Sequence, residues 1–319
     1  MASALGMRTR PNLSSHVLWH AVTGPFTPKA GCFRLLSSTQ SGEGEGRNSA
    51  SLQGRTCMVT GGTSGIGYAI AKKFVQEGTS KVTLIGRSEE RLETAAAQLR
   101  ASTAKSNGIT PEVEIVIQIG DIGKAGEWLR NLEKAMTDTD ILVNAAGISH
   151  SKILPKTEPD EVSQILQTNL EGAILTSRAF MRAAIRGRVR SRSESPKSSS
   201  KPSKCIINIS SLLALKGGVG AVPYAASKAG LLGLTRSLAT EAAASMRDVI
   251  IRSNAIVPGY IETPMISDFS DGEVARLKDS IPLHRFGRPE EVADAAVFLA
   301  QNEYANNCVL NLDGGLSAV

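Results

Sequence analysis

The chain has 319 residues, 41% of them hydrophobic, which is enough for a substantial core in one large domain or two ordinary ones. Its formal net charge is +6, but the positive charge is concentrated in two segments. No stretch approaches the ~20 apolar residues of a membrane-spanning helix, so no membrane span is expected. The four cysteines, Cys32, Cys57, Cys205 and Cys308, are far apart, which disfavours a disulfide framework and a metal site.

Residues 1–50 are predicted to lie outside the folded domain. The first forty contain four basic and no acidic residues, with serines, threonines and prolines interspersed. This composition is typical of a mitochondrial transit peptide and predicts a location in the mitochondrial matrix. A disordered tail without a targeting role is the alternative. The Gly/Ser-rich stretch around Glu43 and Glu45 suits a linker.

The folded domain, residues 51–319, is predicted to open with a strand, a glycine turn and a helix. Thr56–Thr60 is a short apolar strand, and Gly61-Gly-Thr-Ser-Gly-Ile-Gly67 leads directly into a helical pattern over Tyr68–Gly78. Glycines let the backbone approach a pyrophosphate, and a helix N-terminus supplies unpaired N–H groups. The spacing therefore predicts a dinucleotide-binding turn with contacts from Gly61, Thr63, Ser64, Gly65, Ile66 and Gly67.

The second predicted strand, Lys81–Ile85, ends in Gly86-Arg87-Ser88. A site for NAD usually has an acidic residue at this point, whereas an arginine accommodates the extra phosphate of NADP. Arg87 and Ser88 therefore favour NADPH as the cofactor. The alternative is that Arg87 caps the solvated start of a helix predicted from Glu89 to Ala104.

Two further apolar strands are predicted at Val113–Ile119 and Asp140–Asn144. The first ends in Gly120-Asp121-Ile122, and the second runs into the turn Asn144-Ala-Ala-Gly147. A helix from Lys124 to Met136 separates them. Strands that alternate with helices predict an α/β fold with a doubly wound parallel sheet.

A strand end and a helix are predicted to bring three reactive side chains together. Cys205–Ser210 is a buried strand, and Ser211 stands at its C-terminal end. Tyr224 and Lys228 are one turn apart on an Ala-rich helix, so they share a face. A nearby ammonium favours the phenolate, which predicts a lowered pKa for Tyr224. The Ser211 hydroxyl can stabilise charge on a carbonyl oxygen. Chance occurrence of Tyr-x-x-x-Lys is the alternative for that pentapeptide alone.

A basic segment, residues 186–204, separates a helix predicted to end near Ile185 from the strand at Cys205. It contains seven basic residues and one acidic residue. This composition predicts a disordered surface loop. Binding of nucleic acid is disfavoured because the segment has no aromatic platform. Electrostatic attraction of an acidic carrier protein is a further alternative.

These motifs resemble those of the short-chain dehydrogenase/reductase family in order and spacing. The matching residues are Thr60-Gly-x-x-x-Gly-Ile-Gly67, Asn144-Ala-Ala-Gly147, Asn169 within Thr-Asn-Leu, Ser211 with Tyr224-x-x-x-Lys228, and Pro258-Gly259 with Thr263. The resemblance implies a single Rossmann-type domain and an enzyme that reduces a carbonyl with NADPH. It also implies assembly into a homotetramer or dimer through long helices over 159–185 and 222–246.

The resemblance implies a role for each site residue. Tyr224 is expected to be the general acid, Ser211 to orient the carbonyl, and Lys228 to hold the nicotinamide ribose and tune Tyr224. Asn169 is expected to anchor a water in a proton relay. Besides the glycine turn, Arg87, Ser88, Tyr224 and Lys228, cofactor contacts are expected from Asp121 and Ile122 at the adenine, from Asn144, Ala145, Ala146 and Gly147 near the adenosine ribose, and from Pro258, Gly259, Ile261 and Thr263 at the nicotinamide.

Three C-terminal stretches resemble, more narrowly, the 3-oxoacyl-[acyl-carrier-protein] reductases of fatty acid synthesis. They are Asn254–Met265, Ile281–Ala293 and Leu312–Leu316. A hydroxysteroid or other alcohol dehydrogenase of the same family is the alternative. A non-catalytic binding subunit is disfavoured because the Ser, Tyr, Lys and Asn set is intact. Ser64 departs from the pattern, because NADP-using relatives often have a basic residue there, so the predicted phosphate preference depends mainly on Arg87.

Overall fold

A computed structural model describes residues 51–103, 113–193, 202–246, 249–267 and 269–319. The predicted transit peptide and most of the predicted linker lie outside the described residues. So does the part of the basic segment from residue 194 to residue 201.

Seven parallel strands form one sheet. They are β1 Thr56–Thr60, β2 Lys81–Gly86, β3 Glu114–Ile119, β4 Ile141–Asn144, β5 Lys204–Ile209, β6 Ile251–Pro258 and β7 Val309–Leu312. Their spatial order is β3-β2-β1-β4-β5-β6-β7, so the direction of winding reverses between β1 and β4. Open α/β sheets bind ligands beyond the C-terminal ends of the strands at such a switch point. The predicted doubly wound sheet is confirmed.

Helices cover both faces of this sheet. They are α1 Gly65–Gln76, α2 Glu89–Thr103, α3 Leu129–Ala135, α4 Pro159–Leu166, α5 Gly172–Ser193, α6 Val222–Ser245, α7 Asp271–Ser280 and α8 Pro289–Gln301. No helix of the described residues is long and apolar enough to cross a membrane.

The strands divide their side chains between two cores. In β1, Cys57 and Val59 pack in the cluster that contains Phe74 of α1. Met58 packs in the other cluster, with Phe180 of α5. Successive side chains of a strand point to opposite faces, so a strand covered on both sides must be apolar throughout. This is why short continuous apolar runs in the sequence marked the strands.

The helices differ from the prediction around α4 and α5. Instead of one helix over 159–185, a π-helical turn at Gln167–Glu171 joins the two. Helix α5 then continues past Ile185 to Ser193, so the expectation of a loop beginning at Arg186 is wrong for the first part of the basic segment.

A buried carboxylate holds the start of this continuation. Glu133 of α3 has only 6% of its side chain exposed and pairs with Arg178, Arg182 and Arg186, three arginines one turn apart on α5. The N···O distances are 3.6, 2.8 and 2.7 Å respectively. The ion pair with Arg186 therefore extends this contact to the first residue of the basic segment.

The N-terminal edge of the sheet contains a fully buried arginine. Arg252 of β6 is 1% exposed. Its guanidinium donates to Ser203 Oγ at 2.6 Å and to three main-chain carbonyls, those of Leu299, Ala300 and Ala305, at 2.7 to 2.9 Å. Two of these carbonyls belong to the last turn of α8, so Arg252 caps the C-terminus of that helix.

Candidate active site

The glycine turn after β1 fits the pyrophosphate of a dinucleotide. Gly61 and Gly65 have φ angles of 68° and 56°, which favour glycine. A Cβ on Gly67 would lie 2.4 Å from the Gly61 carbonyl oxygen, so no larger residue fits. The side chain of Ser64, the N-cap residue of α1, makes no capping hydrogen bond. The Ser64 side chain therefore does not occupy the first-turn N–H groups of α1. Such groups at a helix N-terminus can bind an anion.

The predicted site residues meet at the C-terminal edge of the sheet. A Cβ on Gly61 would lie 2.8 Å from Ala146 Cα, and one on Gly65 would lie 3.3 Å from Thr263 Cγ2. A Cβ on Gly147 would lie 3.3 Å from Lys228 Nζ. The glycine turn, the turn after β4, the loop after β6 and helix α6 therefore surround one cleft.

Thr60 holds the turn after β4 in place. Its Oγ1 accepts hydrogen bonds from Ala145 N and Ala146 N, both at 3.1 Å. The sequence signal for this role is the position of Thr60 immediately before the glycine turn.

The side chain of Asn144 is engaged within the protein. It donates to Asn208 Oδ1 at 2.9 Å and to Ser177 Oγ at 3.2 Å, and it accepts from Thr176 Oγ1 at 2.7 Å. What this turn offers to a ligand is therefore the backbone from Ala145 to Gly147.

Ser211, Tyr224 and Lys228 lie together at the end of β5. The Ser211 side chain lies near the Tyr224 hydroxyl, and its Oγ accepts from Leu213 N at 3.2 Å. Lys228 Nζ lies 5.6 Å from the Tyr224 ring centroid and donates to the Ile209 carbonyl at 2.9 Å. Proline in the first turn of α6 and the four-residue spacing place both side chains on the face that meets the strand end.

The predicted lowering of the Tyr224 pKa is wrong for this structure. Burial raises the pKa of the Tyr224 hydroxyl above its usual value, because the phenolate loses its hydration, and the nearby Ser211 hydroxyl opposes this only in part. Burial also lowers the pKa of Lys228 to about 8. Both shifts favour the neutral form and have the same cause.

Asn169 lies in the π-helical turn between α4 and α5. Its amide holds the main chain of Ile148 at both ends: Oδ1 accepts from Ile148 N at 2.8 Å, and Nδ2 donates to Ile148 O at 2.9 Å. Nδ2 also donates to Ser227 Oγ on α6 at 3.1 Å. The side chain therefore fixes the loop after β4 against the catalytic helix. π-Helical turns often occur at functional sites.

The ends of β2 and β3 lie on the adenosine side of the cleft. Arg87 is exposed, and Ser88 Oγ accepts from Arg91 N at 3.3 Å at the start of α2. Asp121 Oδ1 accepts from Gly123 N at 3.0 Å, and Ile122, the next residue, is buried. One contact has no local signal in the sequence: Arg91 Nη2 lies 3.2 Å from Ser64 Oγ in the glycine turn.

The loop after β6 closes the other side of the cleft. Pro258 is the last residue of β6, and a Cβ on Gly259 would lie 2.8 Å from Asp313 Cα. The Ile261 side chain is buried in the core, and Ile261 forms an isolated parallel bridge with Gly287. Only the backbone of Ile261 can therefore face a ligand, whereas Thr263 reaches the glycine turn with its side chain.

Comparison with known proteins identifies the family. The family model described as enoyl-(acyl carrier protein) reductase matches residues 61–317. The chain belongs to the short-chain dehydrogenase/reductase family. This confirms the predicted resemblance and makes the protein an oxidoreductase that interconverts carbonyl and CH–OH groups with a nicotinamide dinucleotide.

This chain matches individual relatives over nearly their whole length. The 3-oxoacyl-[acyl-carrier-protein] reductase FabG of Aquifex aeolicus is 37% identical over 268 residues, 83% of this chain and 98% of the relative. A human 3-oxoacyl-[acyl-carrier-protein] reductase is 35% identical over 266 residues, 83% of this chain and 99% of the relative. Among solved structures, a putative NAD(P)-dependent gluconate 5-dehydrogenase from Beutenbergia cavernae with bound NADP gives a TM-score of 0.72 at 30% identity, over 85% of this chain and 100% of that one.

Proposed function

We propose that the protein reduces a 3-oxoacyl group, held as a thioester on acyl carrier protein, to the 3-hydroxyacyl form with NADPH, as a step of fatty acid biosynthesis. The observation that carries the proposal is a buried Tyr224 phenol that meets Ser211 and Lys228 beside a dinucleotide cradle. The substrate class is supported by the relatives from Aquifex aeolicus and human, which match this chain over nearly all of their length.

The reduction needs one proton and one hydride at the carbonyl group. When bound, NADPH supplies the hydride to the carbonyl carbon. The Ser211 hydroxyl donates a hydrogen bond to the carbonyl oxygen and so stabilises the negative charge that develops there. The Tyr224 hydroxyl then donates its proton to that oxygen. Because burial raises its pKa, the phenol is protonated at neutral pH, which is the form that a reductase needs at the start of the reaction.

Lys228 has spare hydrogen-bonding capacity. An ammonium has three N–H bonds, and the described residues supply one acceptor for them, the Ile209 carbonyl. The remaining donors suit the hydroxyls of the nicotinamide ribose. The glycine turn would hold the pyrophosphate, and Arg87 at the end of β2 would favour the 2′-phosphate of NADPH.

A substrate panel tests the proposed function. The purified protein is given a 3-oxoacyl carrier thioester, an enoyl carrier thioester, a steroid ketone and a simple ketone, each with NADPH and with NADH. We expect kcat/KM to be highest for the 3-oxoacyl carrier thioester with NADPH. A higher value for the steroid or the simple ketone would support a hydroxysteroid or alcohol dehydrogenase, and a higher value for the enoyl thioester would support reduction of a carbon–carbon double bond.

Replacement of Tyr224 by phenylalanine tests the proton donor. Tyr224→Phe removes the hydroxyl and keeps the ring, so turnover should fall by about 10²- to 10⁴-fold while NADPH binding changes little. Tyr304→Phe is the matched control, because Tyr304 is 98% exposed and should lose nothing. Near-normal turnover of Tyr224→Phe would overturn the assignment.

We also propose a mitochondrial matrix location and a homotetrameric or dimeric assembly. The basic, serine-rich composition of residues 1–40 supports the mitochondrial location. Fusion of this segment to a fluorescent protein tests it, and a cytosolic fusion would contradict it.

Exposed Leu166, Ile174 and Ile185 on α4 and α5 support the assembly of subunits. Ile174→Arg should lower the mass found by light scattering, whereas Ile250→Arg, a substitution at an exposed control site, should not.

A further inference from the structure

The side chain of Arg91 extends from α2 to the glycine turn. Its Nη2 donates to Ser64 Oγ at 3.2 Å, and its backbone N–H donates to Ser88 Oγ at 3.3 Å. The first bond fixes the guanidinium at the turn, and the second fixes the start of the helix that carries it. Arg91 thus links the two segments that surround the adenosine end of the cleft.

This contact lies where the fold would hold the adenosine ribose. A Cβ on Gly86 would lie 3.2 Å from Thr63 Cγ2, so the end of β2 packs directly on the glycine turn. Arg87 follows Gly86 in the chain. In doubly wound nucleotide-binding folds, the residue that reads the ribose 2′ position lies at this strand end. The Arg91 guanidinium therefore lies beside Ser64, which is a neutral residue of the glycine turn.

The charges of this corner are available to a ligand. Among the described residues, neither Arg87 nor Arg91 has a carboxylate within 4.0 Å, although Glu89 and Glu90 lie on the same exposed turn of α2. A phosphate monoester carries up to two negative charges and presents oxygens that match the planar fork of an arginine. Two unpaired guanidinium groups at one corner suit such a group better than they suit the neutral ribose hydroxyls of NAD.

We propose that Arg91 is a second specificity-determining residue for the 2′-phosphate of NADPH and takes the place of the basic residue that the glycine turn lacks at Ser64. This inference rests on the proposed use of NADPH. It assigns to Arg91 a direct contact with the phosphate and to Ser64 the positioning of the guanidinium.

Binding measurements without substrate test the inference. Calorimetric titration of the purified full-length protein with NADP⁺, NAD⁺ and 2′,5′-ADP gives a Kd for each. Arg91→Gln should weaken NADP⁺ and 2′,5′-ADP about tenfold or more, the value of one charge-assisted hydrogen bond, and should leave NAD⁺ within about twofold. Arg100→Gln removes the same charge from the far end of α2 and should change none of the three. Unchanged NADP⁺ binding by Arg91→Gln would overturn the proposal.

A second pair of variants separates recognition from a structural role. If Arg91 only held the glycine turn in shape, Arg91→Gln would weaken NAD⁺ and NADP⁺ by the same factor, and this outcome would overturn the proposal. If Arg91 reads the phosphate, adding Ser64→Arg to Arg91→Gln should restore most of the NADP⁺ affinity, because it returns a cation to the same corner. Failure of the double variant to bind NADP⁺ better than Arg91→Gln would also count against it. Since no acyl substrate is present, the result is independent of the substrate panel.

Discussion

Lys228 and Arg252 are both buried cations, and they lie at opposite edges of the same sheet. Lys228, 4% exposed, lies at the C-terminal edge and has one hydrogen-bond acceptor, the Ile209 carbonyl. Arg252, 1% exposed, lies at the N-terminal edge and donates to four acceptors, with Glu303 a further 4.0 Å contact. The two side chains are similarly buried, but Lys228 has fewer hydrogen-bond acceptors than Arg252.

The difference separates a working group from a structural one. A buried charge whose donors are nearly all satisfied, such as Arg252, holds the surrounding segments together and has little left to offer a ligand. A buried charge with unused donors costs folding free energy, as the lowered pKa of Lys228 indicates, and keeps its capacity for a substrate or cofactor. Arg252 at the N-terminal edge of the sheet therefore serves stability, and Lys228 at the C-terminal edge serves function.

Removal of the lysine should have the largest effect on activity. Lys228→Met keeps much of the side-chain volume and removes the charge, so kcat/KM should fall by about 10³-fold or more, equivalent to about 4 kcal/mol. The free energy of unfolding at pH 7 should stay the same or rise, because an incompletely paired buried charge is lost. Steady-state kinetics and denaturant unfolding measure the two quantities. A marked loss of stability would place Lys228 with Arg252 and break the comparison.

Removal of the arginine should have the opposite outcome. Arg252→Met removes one donor from each of three carbonyls and a hydroxyl, although Ala305 O keeps the Asn254 amide and Leu299 O keeps the weaker Cys205 thiol, so the free energy of unfolding should fall by about 3 kcal/mol or more. The protein that remains folded should retain its turnover per active site. Denaturant unfolding, with active-site titration, measures both. Arg130→Met, at an exposed position on α3, is the control and should change stability by less than about 0.5 kcal/mol.

A smaller effect of the Lys228 charge should appear when stability is measured as a function of pH. Lys228 loses its proton at about pH 8 in the folded protein, whereas in the unfolded chain it keeps its proton to its ordinary pKa of about 10.4. Between these values the unfolded state binds more protons, so the stability of the wild type should rise with pH relative to Lys228→Met, by about 2–3 kcal/mol from pH 7 to pH 10.

Two buried thiols affect this measurement but not the difference. Burial raises the pKa of Cys57 and of Cys205, so each lowers stability as pH rises above the usual thiol range. Both proteins contain these cysteines, and their contribution cancels when the two curves are subtracted. Parallel curves for wild type and Lys228→Met would mean that the Lys228 pKa is not lowered by folding.

The strands and the site motifs could be predicted from the sequence because their signals are local. A strand buried on both faces is a short apolar run, as in β1 and β5, and the glycine turn and the Tyr224–Lys228 spacing are fixed by geometry within a few residues. The parallel order of the strands follows from the alternation of strands and helices. These features therefore needed no knowledge of distant contacts.

What could not be predicted depends on contacts between distant segments. The raised pKa of Tyr224 reflects burial by the whole fold, whereas the sequence showed only its neighbour Lys228. The continuation of α5 through Arg186 depends on Glu133 of another helix. The contact of Arg91 with Ser64 joins residues 27 positions apart through a long, flexible side chain. Patterns of period two or 3.6 carry no information about such contacts.

The hydrogen bonds of the Asn169 amide bear on the order in which the protein folds and becomes active. Its hydrogen bonds join Ile148, 21 residues before it in the chain, to Ser227, 58 residues after it. Helices and short turns form early in folding because they close small loops, whereas contacts of long sequence separation carry a larger entropic cost and form later. The catalytic cleft is closed by contacts of the second kind. The catalytic site is therefore completed late in folding. When the denatured chain is refolded, enzyme activity should return after helical structure.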